Sequence, residues 1–90
     1  MEIIFLPPAT KDAAYWQKNG DKRTQNKISQ LLSSIKNNYK HGIGHPEPLK
    51  GCLTGYWSRR INRKDRIIYR AVENKNQILI YSLRGHYAEK

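Results

Sequence analysis

Three runs of strand character crowd the second half of the chain, Tyr56 to Ile61, Arg66 to Val72 and Gln77 to Leu83. Only the polar tetrapeptides Asn62-Arg63-Lys64-Asp65 and Glu73-Asn74-Lys75-Asn76 separate them. β-Branched and aromatic residues bounded by turn formers read as strands. A parallel connection needs a crossover of a dozen or more residues, so connectors this short force the runs into an antiparallel meander. If both connectors are four-residue loops, alternation puts Ile67, Tyr69, Ala71, Ile78 and Ile80 on one face. The opposite face then carries Trp57, Arg59, Arg66, Ile68, Arg70 and Tyr81. The first set asks to be covered, and the second mixes cations with aromatics in a way that suits a nucleic-acid strand.

The first half supplies the cover. Glu2 to Leu6 reads as a further strand, stopped by Pro7-Pro8, after which Thr10 is placed to cap a helix running to about Lys18 with Ala13 and Trp16 on one face. Asn19-Gly20 ends it and Asp21 can cap the next. From Lys22 to about Asn38, Ile28, Leu31, Leu32, Ile35 and then Tyr39 recur at three-to-four spacing, the pattern of an amphipathic helix. A loop with Gly42, Gly44, Pro46, Pro48 and Gly51 leads into the meander. The reading is α+β: two N-terminal helices packed on a small, mainly antiparallel twisted sheet, in the order β-α-α-β-β-β. At 90 residues the chain is predicted to be one domain, 1–90, because two cores this small would not offset chain entropy.

Seventeen Lys and Arg against seven Asp and Glu give a formal charge of +10, and seven of the cations lie between Lys50 and Arg70 with Asp65 the sole acid among them. Such a patch points to a polyanionic partner, nucleic acid first. The lone Cys52 excludes an internal disulfide and suits a reducing cytosol, and no Cys/His cluster has zinc spacing, so neither metal nor cofactor is expected. Glu2 precedes the short apolar N-terminal run, which argues against a signal peptide, and no apolar run is long enough for a bilayer.

Against that charge, the stretch Pro46-Glu47-Pro48-Leu49-Lys50 frames one carboxylate between two prolines. Proline fixes φ, so the loop loses less entropy in holding Glu47 where a reacting hydroxyl would sit. Cleavage within an RNA chain can use the RNA's own 2'-hydroxyl as nucleophile. It then needs a base for that hydroxyl, cationic stabilisation of the phosphorane and an acid for the 5'-oxygen. Glu47, Arg66 and His86 are the candidates for those roles, with Lys50, Arg59, Arg60 and Arg84 as further cationic contacts. His41 and His45 read as loop residues and Trp16 as core packing.

The ordered set Tyr15-Trp16, Pro46-Glu47-Pro48-Leu49-Lys50, Gly55-Tyr56-Trp57-Ser58-Arg59-Arg60-Ile61, Arg66-Ile67-Ile68-Tyr69 and Gly85-His86-Tyr87 resembles the YoeB/Txe family of bacterial toxins, within the RelE/ParE superfamily. The resemblance spans nearly the whole chain. It implies a ribosome-dependent mRNA endoribonuclease that inhibits translation and is held inactive by a cognate YefM/Axe-like antitoxin. It also implies the 70S ribosome and mRNA as partners, a homodimer, and products with a 2',3'-cyclic phosphate and a 5'-hydroxyl. On the matching positions it makes Glu47 the general base, Arg66 the phosphorane stabiliser and His86 the general acid, with Tyr87 positioning the RNA and Lys50 and Arg60 contacting phosphate. Two departures stand out. The chain continues past His86-Tyr87 with Ala88-Glu89-Lys90, and Leu83 stands where the family commonly has cysteine, a change read as packing.

Two other readings use the same scaffold: a ParE-like poison of DNA gyrase without a nuclease triad, and a basic RNA- or ribosome-binding module without catalysis. The Glu47, Arg66 and His86 set argues against the first. The framed Glu47 argues against the second. An acidic antitoxin segment is expected to fold over the cationic sheet face, with salt slowing its association.

Overall fold

A computed structural model describes residues 1–85; His86 and Tyr87 lie outside the described residues. β1 (Glu2–Phe5) leads into α1 (Pro7–Asn19) and α2 (Lys22–Asn37), then β2 (Glu47–Pro48), β3 (Trp57–Arg60), β4 (Arg66–Val72) and β5 (Gln77–Ser82). The strands form one sheet in the order β1-β5-β4-β3-β2, in which β1 runs parallel to β5 and every other pairing is antiparallel. The α+β expectation holds, with one strand, β2, more than the four expected.

Helix α1 is capped four residues before the expected Thr10. Leu6 is its N-cap, and Pro7-Pro8 form its first turn, where a missing N–H costs nothing. Thr10 instead sends its hydroxyl back to the carbonyl of Leu6. Asp21 caps α2 as expected, its carboxylate accepting from the Thr24 N–H at 2.7 Å. That bond holds the Asp21 carboxyl below the usual carboxylate range. Ile28, Leu31 and Ile35 of α2 and Ala9 of α1 close over Ile61, Ile67, Tyr69, Ile78, Ile80 and Leu83. Leu83 is 1% exposed and packs in the core, as read from the sequence.

The face predicted for β4 and β5 is correct, and the one predicted for β3 is not. Trp57 pairs with Tyr69 and Arg59 with Ile67, so both lie on the helix side rather than on the open side. The reason is a slip of one residue. Arg60, not Ile61, is opposite Arg66, and Ile61–Asp65 form the loop, closed by the Ile61 N–H on the Asp65 carbonyl. Because side chains alternate, one step of register exchanges the faces of a whole strand.

Candidate functional site

On the open face, the pairs Glu47↔Ser58, Ser58↔Ile68 and Arg60↔Arg66 set Glu47, Arg60 and Arg66 on one side of the sheet. Glu47 and Arg66 are two strand spacings apart across the sheet and one two-residue step apart along it, roughly 12 Å between Cα atoms. Two long side chains can converge across that gap on one phosphate.

β2 is only two residues long, yet it is tied to β3 at three successive points. The Gly44 carbonyl accepts from Arg60 N at 2.7 Å, Glu47 pairs with Ser58, and Leu49 N donates to the Tyr56 carbonyl at 2.9 Å. Pro48, with no N–H to give, sits on the edge strand, where none is needed. Glu47 is exposed, and among the described residues its carboxylate has no hydrogen-bond partner. Arg66 is half-buried. Its Nη1 donates to the Asn62 carbonyl at 2.8 Å and more weakly to those of Asp65 and Arg63, leaving Nε and Nη2 without a partner among the described residues.

Arg59, read from the sequence as an RNA contact, is a different kind of residue. It is 0% exposed. Nε donates to Tyr69 Oη at 3.0 Å, Nη1 to Ser34 Oγ at 2.6 Å and the Ile43 carbonyl at 3.1 Å, and Nη2 to the carbonyls of Asn38 at 2.6 Å and His41 at 3.1 Å. A guanidinium has five N–H donors in a fixed fork, and all of them are used. Tyr69 Oη donates onward to the Tyr39 carbonyl at 2.7 Å, and burial raises the Tyr69 phenol above its ordinary range, with Arg59 pulling the other way.

The network gathers the loop between α2 and β2 against the core. It leaves no room at the loop's glycines: at Gly42 (φ +136°) a Cβ would collide with Ser34 Oγ and lie 2.9 Å from Arg59 Nη1, and at Gly44 (φ +84°) it would collide with Leu31 and lie 3.2 Å from Arg59 Cβ. Arg59 therefore reaches no phosphate but fixes the loop that carries Glu47.

Arg84 also turns away from the open face. Its guanidinium stacks on the Tyr15 ring of α1, 3.5 Å from the centroid. Lys50 is exposed just beyond β2. The segment leading to His86 is held at four points. Leu83 N donates to Asp12 Oδ2 at 2.9 Å, Trp16 Nε1 donates to the Leu83 carbonyl at 2.7 Å, Gly85 N donates to Asp65 Oδ1 at 2.8 Å, and Arg66 N donates to the Gly85 carbonyl at 2.8 Å. The residue preceding His86 is thus bonded to the backbone of Arg66 itself. Sequence reasoning misses Asp12 and Asp65 in these roles and sees in Trp16 packing alone. The available signal is scarcity, since a chain with seven acids has few to leave idle.

Two helices on this five-stranded sheet, with a cationic open face and one carboxylate registered against it, make up the RelE/ParE type of toxin scaffold. YoeB-like toxins of bacterial type II toxin-antitoxin systems match residues 5–87 as a family. Toxin YoeB of Synechocystis is 41% identical over 87 residues, covering 97% of this chain and 98% of the relative. The YoeB/ParE toxin from Agrobacterium tumefaciens superposes with a TM-score of 0.90 at 36% identity, covering 97% of this chain and all of the other. The YoeB dimer from Staphylococcus aureus superposes with a TM-score of 0.84 at 46% identity, covering 97% and 98%. The Staphylococcus aureus toxin is also known in a heterotetrameric YoeB-YefM complex. The chain belongs to the YoeB-like toxin family.

Proposed function

We propose that this chain, acting as one domain over residues 1–90, is a ribosome-dependent mRNA endoribonuclease that inhibits translation. The observation that carries the reading is the registered frame in which Glu47 and Arg66 share one open sheet face, with the segment leading to His86 bonded to Arg66. Glu47 takes the proton of the 2'-hydroxyl as its oxygen attacks the adjacent phosphorus. Arg66 offers Nε and Nη2, which have no partner among the described residues, to the charge that builds on the phosphorane, where such donors count most. The P–O5' bond then breaks and His86 protonates the departing oxygen, leaving a 2',3'-cyclic phosphate and a 5'-hydroxyl. Arg60 and Lys50 hold flanking phosphates and Tyr87 positions the strand.

The YoeB-YefM complex of the Staphylococcus aureus relative supports a YefM/Axe-like antitoxin as partner, and that toxin's dimer supports a homodimer here. A ribosomal target places the protein in the cytoplasm. None of the described helices is long and apolar enough to cross a membrane. The test is to incubate the protein with translating ribosomes, with and without antitoxin, and to map mRNA 5' ends. Discrete antitoxin-sensitive ends bearing 5'-hydroxyls are expected, and intact mRNA with inhibited gyrase would refute the reading.

The bonds around Gly85 lead to a second expected result. Asp65→Ala should lower single-turnover cleavage by about 10- to 100-fold with little change in half-saturation, because loosening a catalytic group by about 1 Å costs on that order. Asp65→Asn keeps an oxygen to accept the Gly85 N–H and should stay near wild type. Equal losses in both variants would show that charge, not the hydrogen bond, is what Asp65 contributes.

A further inference from the structure

We propose that Tyr56, Arg70 and Tyr81 form a stacking platform for an unpaired base flanking the bond that is cut; the proposal rests on the nuclease reading only in taking the strand to be RNA. The three side chains meet on the open face. The Tyr56 and Tyr81 rings lie edge to face at 6.1 Å and 69°, and Arg70 Cζ stands 5.9 Å from the Tyr56 centroid. Tyr81 is 43% exposed, one of two large hydrophobic side chains so exposed among the described residues.

The backbone is adapted to present it. Tyr69 pairs with Ile80 and Ile68 with Ser82, so Tyr81 is an extra residue with no partner on β4. A bulge of this kind re-aims a side chain, and here it turns Tyr81 onto Tyr56. The platform continues the candidate site: Arg66, Ile68 and Arg70 follow one another on the same side of β4. Arg70 is therefore about 13 Å along the strand from Arg66.

The chemistry favours a nucleotide over an acidic peptide. Two aromatic faces and one guanidinium match a base with its phosphate, since bases stack on aromatic rings whatever their identity and a neighbouring Arg adds cation–π attraction. A carboxylate-rich segment would want more cations than the single one found here.

The experiment uses the full-length Glu47→Gln protein, so that RNA stays intact, and a fluorescein-labelled single-stranded RNA carrying one abasic site at each position in turn. Anisotropy titration should show binding weakened about 5- to 150-fold at one or two positions, the range for loss of a stacked base. Adding Tyr81→Ala should weaken binding of intact RNA by a similar factor and flatten the abasic scan, while Tyr81→Phe should preserve both. No measurable RNA binding, a flat scan in the parent protein, or unchanged binding by Tyr81→Ala would overturn the platform. So would a Tyr81→Ala defect confined to a glutamate-rich peptide, which would assign the surface to a protein partner. The scan itself needs no mutation of the platform, so its outcome does not depend on how a variant folds. Wild-type cleavage of programmed ribosomes is measured in parallel. Cleavage with a flat scan keeps the nuclease and loses the platform; no cleavage with a position-dependent scan does the reverse.

Discussion

Glu47→Gln should slow single-turnover cleavage of mRNA on programmed ribosomes, at saturating toxin, by about 10²- to 10⁴-fold, the usual cost of removing a general base. Glutamine keeps the shape of the side chain and loses the site that takes the proton. Glu47 is exposed and its carboxylate has no hydrogen-bond partner among the described residues, so the denaturation midpoint should not move. Arg66→Ala should cost at least as much in rate, because it faces charge that exists only as the phosphorane forms. It should also cost some stability, since Nη1 ties down the β3–β4 loop. Lys50→Ala and Arg60→Ala should chiefly weaken binding and reduce its dependence on salt, as loss of a phosphate contact does. Wild-type rates for Glu47→Gln would end the catalytic assignment and return the chain to the binding modules.

The largest loss of stability is expected at Arg59. In the Glu47→Gln background, Arg59→Met should lower unfolding stability by about 3–5 kcal/mol, read from the midpoint of urea denaturation at unchanged slope. Methionine follows the path of the arginine stem, so little packing is lost. What it leaves behind is a set of five acceptors that Arg59 had satisfied: Tyr69 Oη, Ser34 Oγ and the carbonyls of Asn38, His41 and Ile43. A buried polar group stripped of its partner costs about 1–3 kcal/mol, and relaxation of the loop toward water recovers part of the total. Arg59→Lys should fall short of wild type as well, because an ammonium carries three donors and no planar fork. In the otherwise native chain, Arg59→Lys should cleave slowly even where it is folded, since the loop that places Glu47 has lost its anchor. An Arg59→Met protein as stable as its parent, with RNA affinity reduced, would restore the residue to the phosphate contacts.

Arg59 also shows where reading the sequence runs out. Within Trp57-Ser58-Arg59-Arg60-Ile61 the charged residues look outward by default, because a buried guanidinium is costly unless every donor is met. The acceptors that meet them come from α2, from the loop after it and from β4. No local pattern announces an arrangement so spread along the chain. The same distance hides Asp12 and Asp65, whose partners are the N–H groups of Leu83 and Gly85. What is legible is local. The spacing of Ile28, Leu31 and Ile35 defines the buried side of α2, the alternation through Ile67 and Tyr69 defines the buried side of β4, and the two prolines single out Glu47. The expected β3 register fails because the loop takes in Ile61 as well as the polar tetrapeptide, and hydrophobicity alone does not arbitrate between Trp57 and Ile68 as inward residues.

The parallel pairing of β1 with β5 bears on how the protein comes to be made. Glu2–Phe5 is the first segment of the sheet to leave the ribosome, and its partner, Gln77–Ile80, is the last. Until β5 emerges, β1 has no neighbour in the sheet and the apolar sides of α1 and α2 have only Ile61, Ile67 and Tyr69 to close over, since Ile78, Ile80 and Leu83 supply the rest of the floor of that core. Contacts this remote in sequence form late and slowly. At a synthesis rate of about 5–20 residues per second, the nascent chain spends seconds without a completed sheet. The registered sheet, and with it the frame that sets Glu47 beside Arg66, therefore exists only once the last strand has left the ribosome.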